Sequence, residues 1–162
     1  MTSIIVRIVI ASALGLGAAV GISVGPTNAT DAATNASADY YLNAICPANR
    51  SQDKAAKALL RMDKKGWEEG DRVPRYAKRA LRKASRATAR AGRMVAQYDW
   101  PENVSSYDSE GVAENLYGYS TWFAQLAKGN FRAATPNNSS DAANSMRMAL
   151  GLGPAGTEDD GC

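Results

Sequence analysis

Apolar side chains recur every three or four residues along four stretches of the chain, which is the spacing of one face of an α-helix. The longest stretch extends from Val73 to Tyr98 and has Pro74 in its first turn, where proline is well tolerated. The others extend from Ser51 to Gly66, from Ser105 to Gly129 and, more briefly, from Ser140 to Leu150. Each of these last three ends at or next to a glycine, which is typical of a helix C-terminus.

The fold class follows from these stretches and from what separates them. A short apolar segment, Tyr40 to Ile45, is expected to end ahead of Pro47, because proline disfavours helical backbone at the residue before it. No stretch alternates apolar and polar positions with β-branched side chains, so no strand is predicted. Short connections between amphipathic helices favour antiparallel neighbours. The prediction is an all-α fold, a small antiparallel helical bundle.

The N-terminus has the pattern of a secretory signal peptide. Arg7 precedes a run of 17 uncharged residues, 8–24, and Gly25-Pro26 ends that run. Cleavage is expected at Ala29, with Ala38 as the second choice. An uncleaved membrane anchor is the alternative, because about 17 to 20 apolar residues can span a bilayer.

The predicted domain plan is a signal peptide or N-terminal membrane anchor over residues 1–29, a flexible spacer over 30–38 and a helical domain over 39–162. The expected location is secreted or extracytoplasmic. The chain has no histidine, which excludes a His-based acid/base relay and a His-ligated metal, and no cofactor or metal site is predicted.

The two cysteines, Cys46 and Cys162, lie near the two ends of the predicted helical domain. An even number of cysteines in an oxidising compartment favours one disulfide bond, here closing a loop of 116 residues. The alternative is a free or intermolecular pair of thiols. Neither cysteine is a candidate nucleophile, because no histidine is present to activate a thiolate.

Charge is distributed very unevenly. Residues 50–93 carry 15 Lys and Arg against five Asp and Glu, whereas residues 94–162 carry three against nine, and the whole chain has a net charge of +3. On the longest predicted helix and just before it, basic residues recur every three or four positions with no acidic residue between them. We call these residues the basic stripe; they are Arg72, Arg75, Arg79, Arg82, Lys83, Arg86, Arg90 and Arg93.

Like charges one helical turn apart repel by a few tenths of a kcal/mol per pair, so the repulsion along the basic stripe needs an explanation. Three explanations remain open. An external anion would offset the repulsion: an anionic envelope polymer or lipid surface, or an acidic protein partner, with nucleic acid the least favoured. Internal carboxylates could do the same, from Asp108, Glu110 and Glu114 or from the tail 158–160. The third explanation is a solvated face whose long side chains cover apolar surface.

The predicted function is an exported, non-enzymatic binding or structural protein of the cell envelope that acts electrostatically through the basic stripe. A hydrolase of wall polysaccharide is the alternative. Glu110 and Glu114 are four residues apart on one predicted helix, and Asp99 and Glu102 flank Trp100, so a pair of carboxylates for glycoside hydrolysis can be drawn. Glu110 or Glu102 would carry that reaction.

Several short motifs carry a resemblance to known proteins. They are Tyr40-Tyr41-Leu42, Cys46-Pro47-Ala48-Asn49, Trp100-Pro101, Arg147 with Leu150-Gly151-Leu152-Gly153-Pro154, and the terminal Cys162. Over residues 40–162 the chain resembles small, Ala-rich exported helical proteins of high-GC Gram-positive bacteria. The resemblance implies export, helices and a bond between Cys46 and Cys162, and it transfers no catalytic residue.

Overall fold

The computed structural model describes residues 29–136, 140–153 and 162, and this part of the chain is helical without any strand. Its four helices are α1 (Ala29–Lys64), α2 (Arg75–Gln97), α3 (Ser106–Lys128) and α4 (Ser140–Ala149). The predicted all-α fold is confirmed. None of these helices is both long and apolar enough to cross a membrane. The predicted signal peptide or anchor lies outside the described residues, except for Ala29.

The helices pack as an antiparallel bundle with α2 in the middle, since α2 contacts both α1 and α3, and α4 packs on α3. The core has two parts. In one, the N-terminal half of α1 meets the C-terminal half of α2 and the N-terminal half of α3, through Tyr41, Val95 and Leu116. In the other, Met62 and Leu81 meet Phe123 near the opposite helix ends. The N-terminal half of one helix meets the C-terminal half of the next only when the two helices run in opposite directions.

The inner face of α2 is made mainly of small side chains. The buried residues are Ala77, Leu81, Ala84, Thr88, Ala91, Gly92 and Val95. Thr88 donates its hydroxyl hydrogen bond to the carbonyl of Ala84 at 2.9 Å, so this buried polar group is satisfied within the helix. Because α2 buries this face against two helices, its opposite face is left to solvent.

The prediction of a helix end before Pro47 is wrong, because α1 continues through this residue. A proline inside a helix removes one backbone hydrogen bond and costs about 3 kcal/mol. Its neighbours Ala44, Ile45 and Ala48 are buried in the core, so their packing outweighs this local cost. The Pro47 carbonyl also accepts a hydrogen bond from the Ser51 hydroxyl at 2.8 Å.

The prediction of a flexible spacer over residues 30–38 is also corrected, because this segment forms the first turns of α1. Ser37 and Ala38 are buried, and the Ser37 hydroxyl lies 3.2 Å from the hydroxyl of Tyr98. The packed part of the chain therefore begins before residue 39. Polar and small residues are typical of a linker, but small residues also allow close packing, here against the end of α2.

Several helix ends lie at the residues where the sequence predicts them. Ser105 caps α3 by accepting a hydrogen bond from the backbone N–H of Tyr107 at 3.2 Å. Gly129 ends the same helix with φ of 94°, a left-handed conformation that suits glycine. After α4, Gly151 has φ of 70°, and the N–H of Leu152 donates to the carbonyl of Arg147 at 2.8 Å.

The predicted disulfide is confirmed, and it joins Cys46 on α1 to Cys162, with 5.1 Å between the Cα atoms. Arg50, one turn beyond Cys46, donates a hydrogen bond from Nη2 to the carbonyl of Cys162 at 3.1 Å. Arg147 is buried and donates from Nε to the carbonyl of Gly153 at 2.7 Å. These contacts hold Cys162 against α1 and Gly153 against the end of α4.

Candidate anion-binding surface

All eight residues of the basic stripe are exposed. Seven of them lie on α2, opposite its buried face, and Arg72 lies just before the helix begins. Arg75 and Arg93 are 18 residue steps apart, which corresponds to roughly 27 Å of helix at 1.5 Å per residue. Their spacing in the sequence places these cations in one row, and the fold leaves that row on the outside of the molecule.

The basic stripe makes no ion pair and no hydrogen bond within the part of the chain that the structure describes. The ion pair found in that part lies elsewhere, between Arg132 Nε and Glu69 Oε1 at 2.6 Å. Asp108, Glu110 and Glu114 on α3 form no ion pair with the stripe. Pairing with the α3 carboxylates therefore does not offset the repulsion along α2. The acidic tail 158–160 lies outside the described residues.

Six cationic side chains of α2 line an open groove of about 740 Å³ on this outer face. They are Arg75, Lys78, Arg79, Arg82, Lys83 and Arg86. The sequence analysis missed Lys78, which lies next to Arg79 and on the edge of the row rather than along its centre. Its position three residues after Arg75 and four before Arg82 was the signal that could have identified it. The groove concentrates positive charge in the N-terminal half of α2.

A second surface depression, of about 440 Å³ and open to solvent, lies at the connection between α1 and α2; we call it the turn pocket. Its lining residues are Met62, Lys65, Gly66, Trp67, Asp71, Arg72, Pro74 and Tyr76. Arg72 belongs to both the turn pocket and the basic stripe, and Tyr76 directly follows Arg75 of the groove. The turn pocket therefore adjoins the N-terminal end of the stripe.

The connection that forms the turn pocket is held in place by several contacts. The Trp67 ring packs on Phe131, with 4.5 Å between the ring centroids. Glu69 pairs with Arg132, and Asp71 Oδ2 accepts a hydrogen bond from the backbone N–H of Glu68 at 3.0 Å. The loop after α3 thus supports the loop before α2, which fixes the walls of the turn pocket.

Two polar atoms of the residues that line the turn pocket are buried without a hydrogen-bond partner in the described structure: Trp67 Nε1 and Tyr76 Oη. The Tyr76 ring is itself covered by the guanidinium of Arg61, which lies 4.8 Å from its centroid. A buried donor left unsatisfied costs about 1 to 3 kcal/mol. The sequence analysis did not single out either residue, because Trp67 lies in a loop without periodicity and Tyr76 lies off the apolar seam of α2.

The carboxylates considered for glycoside hydrolysis and the two tryptophans of this region differ in exposure. Glu102 and Glu110 are exposed, whereas Trp122 is buried in the core. Trp100 donates from Nε1 to the carbonyl of Val95 at 2.8 Å, and its ring packs against Tyr98. Both tryptophans therefore serve packing. Within residues 29–136 and 140–153 no three His, Cys, Asp or Glu side chains come together as a metal-binding set.

The chain was compared with protein-family models, with curated proteins and with solved structures, and none of the three comparisons found a match.

Proposed function

We propose that this chain is an exported, non-enzymatic binding or structural protein of the cell envelope, and that its basic stripe binds an anionic envelope surface electrostatically. The observation that carries the proposal is the row of exposed cations on α2 that has no carboxylate partner among the described residues. Such a row is unfavourable in isolation, and an external surface with many negative groups removes the repulsion between its members.

The chemistry of the basic stripe favours oxyanions. Seven of its eight residues are arginines. A guanidinium is planar and carries five N–H donors in a fixed geometry that matches phosphate and carboxylate oxygens two at a time. A row of about 27 Å fits an extended array of such groups, a lipid surface or a polymer, better than a single small ligand.

Two features support placing this surface outside the cytoplasm. The disulfide between Cys46 and Cys162 is typical of an oxidising compartment. The uncharged run over residues 8–24, preceded by Arg7, is the pattern expected of a signal peptide or anchor. Together they favour the cell envelope over nucleic acid as the source of the anion.

The test is co-sedimentation of the full chain with vesicles that contain phosphatidylglycerol, with neutral vesicles and with an insoluble anionic polymer, between about 0.05 and 0.5 M NaCl. Each basic residue near an anionic lipid surface contributes roughly 1 kcal/mol. We therefore expect the variant R79Q/R82Q/R86Q/R90Q to lose about three orders of magnitude in the salt-sensitive part of the affinity.

The matched control is K54Q/K57Q/K64Q/K128Q, which removes the same net charge from exposed positions outside α2. It should retain most of the binding, because the basic stripe is intact. Equal losses in the two variants would show a general charge effect and would contradict a specific role for α2. Absence of binding at low salt, or binding that is unchanged at high salt, would overturn the proposal.

A further inference from the structure

We propose that the basic stripe binds one extended strand of a linear anionic polymer, which lies along α2 parallel to the helix axis. This assignment deepens the proposed function and rests on it, since it states which anionic envelope material the stripe takes. Three features of α2 support it: the straight row of cations, the groove along part of that row, and the lack of an exposed large apolar side chain on this helix.

The cations of the row follow one another at the pitch of the helix. Apart from Lys83, which directly follows Arg82, successive members from Arg75 to Arg93 are three or four residues apart. Each therefore lies roughly 4.5 to 6 Å further along the axis than the one before it, on the same face. An extended strand that presents an anionic group about every 5 to 7 Å on one side can meet these cations in turn.

The groove offers a strand contacts that a flat surface does not reach. All six residues that line it are cations, and all six belong to α2. At about 100° of rotation per residue, Lys78 and Lys83 lie on opposite sides of Arg75 around the helix axis. A flexible strand can enter between these long side chains and receive hydrogen bonds from both sides. The headgroups of a lipid surface lie in one plane and reach the outermost cations first.

The apolar side chains also favour a polymer over a lipid surface. Helices that lie on lipid carry Trp, Phe or Leu on the face that enters the boundary with the acyl chains. Among the residues that the structure describes, the large apolar side chains left exposed are Leu60 on α1, Tyr107 and Tyr117 on α3, and Met148 on α4. The outer face of α2 therefore offers charge and hydrogen-bond donors, which a polymer needs, without the apolar side chains that enter lipid.

Oligoglutamates of defined length test whether the ligand follows the row. An extended peptide reaches about 3.4 Å per residue, so chains of about 4, 8 and 16 residues reach roughly 14, 27 and 54 Å. The eight-residue chain matches the row from Arg75 to Arg93. In NMR titrations of the full chain at low salt, the affinity should rise roughly tenfold from four to eight residues, because two or three further ion pairs form. It should rise much less from eight to 16. Affinity that keeps rising in step with the total charge of the peptide would overturn the proposal.

Two variants of equal charge test where the strand lies. R90Q/R93Q removes the end of the row beyond the groove, and R75Q/R79Q removes the end within it. The four-residue chain fits inside the groove, because Arg75 and Arg86 are roughly 17 Å apart along the axis. R90Q/R93Q should therefore leave the affinity for the four-residue chain unchanged and weaken binding of the eight-residue chain by about tenfold. R75Q/R79Q should weaken the binding of both chains.

The matched control is K57Q/K128Q, which removes the same charge from exposed positions outside α2. It should leave the affinity for both peptides close to that of the unaltered chain. Circular dichroism checks that all three variants keep the helical fold. Equal losses in the three variants, at both peptide lengths, would show a response to net charge alone and would overturn the proposal.

A nitroxide label at one end of the eight-residue chain tests the direction of the strand. Paramagnetic broadening should be strongest for backbone signals at the ends of the row, near Arg75 or Arg93. It should be weaker near Arg82 and Arg86 in the middle. Broadening centred on the middle, or spread evenly over α1 and α3, would show that the strand crosses α2 or has no fixed position, and either result would overturn the proposal.

Two further ligands separate this assignment from the proposed function. Linear polyphosphate should displace the eight-residue oligoglutamate, since a guanidinium binds phosphate and carboxylate oxygens alike, and failure to displace it would contradict a site for anionic polymers. Phosphatidylglycerol vesicles should bind more weakly per accessible anionic group than the polymers do. Vesicle binding that is tighter would overturn the assignment and leave the proposed function in place. Absence of binding to every one of these anions at low salt would overturn both.

Discussion

Gly92 on α2 lies directly against Tyr117 on α3. A Cβ atom at Gly92 would be 3.2 Å from Cε1 of Tyr117 and 3.3 Å from the carbonyl oxygen of Ala113. The tyrosine ring is partly exposed and can move, but the backbone carbonyl cannot. This close approach lets α2 bury its inner face against α3 and thereby turns the basic stripe outward.

We expect G92L to destabilise the bundle by about 1 to 3 kcal/mol, since a large side chain must push the two helices apart. Urea unfolding followed by circular dichroism measures this change. A96L is the control, because Ala96 is exposed on the same helix and offers room for the larger side chain. Equal stability of G92L and A96L would show that the helices do not need this contact.

The bond between Cys46 and Cys162 should contribute about 4 to 5 kcal/mol to the free energy of unfolding, because it closes a loop of 116 residues in the unfolded chain. The variant C46A/C162A should show this loss in urea unfolding. Dithiothreitol should lower the stability of the unaltered chain by a similar amount and should leave the variant unaffected. A loss well below 1 kcal/mol would contradict the view that the bond is a main source of stability for this Ala-rich core.

The basic stripe should reduce stability at low salt. Glutamine and arginine have similar helix propensities, so R79Q/R82Q/R86Q/R90Q mainly removes repulsion between neighbouring cations. We expect this variant to be about 1 to 2 kcal/mol more stable than the unaltered chain at low salt, with a smaller difference at 0.5 M NaCl, where the repulsion is screened. A variant that is less stable at every salt concentration would show that the arginine side chains stabilise α2.

Burial raises the pKa of the Tyr41 hydroxyl to about 12, although the nearby positive charge of Arg147 acts in the opposite direction. The unfolded chain releases this proton near pH 10. The folded state therefore holds the proton more strongly, and its contribution is fully present below about pH 10 and is lost as the pH rises towards 12. This contribution amounts to about 2 to 3 kcal/mol.

The variant Y41F should lack this part of the alkaline destabilisation. Urea unfolding of both proteins between pH 9 and 12 isolates the effect, because the other titrating groups are the same. Y107F should follow the unaltered chain, since Tyr107 is exposed. If Y41F loses stability as steeply as the unaltered chain, Tyr41 does not retain its proton in the folded state.

Local patterns in the sequence predicted most of the helical elements. The seam from Ala77 to Val95 has the 3.6-residue period of an amphipathic helix, and α2 buries these positions. Ser105 and Gly129 mark the two ends of α3, because a hydroxyl cap and a left-handed glycine act through bonds to neighbouring residues. Such signals need only a few adjacent residues, so they are readable without knowledge of the tertiary structure.

Local reasoning failed where distant residues outweigh local preference. Pro47 should end a helix, but the burial of Ile45 and Ala48 against other helices keeps α1 continuous. The segment around Ser37 has the composition of a linker, yet Tyr98, 61 residues away, gives it a partner. Neither contact is visible in the order of the amino acids.

The candidate site also combines features that the sequence predicts with features that depend on the tertiary structure. The spacing of the arginines alone placed them in one row, because one helix determines their relative positions. That the row faces solvent without carboxylate partners depended on how α1 and α3 cover the other face of α2. The arrangement of the turn pocket likewise involves distant residues, because Phe131, which follows α3, packs on Trp67 in the connection before α2. Periodicity specifies which residues share a face of a helix, whereas packing between helices decides which face is covered and which polar atoms are left without a partner.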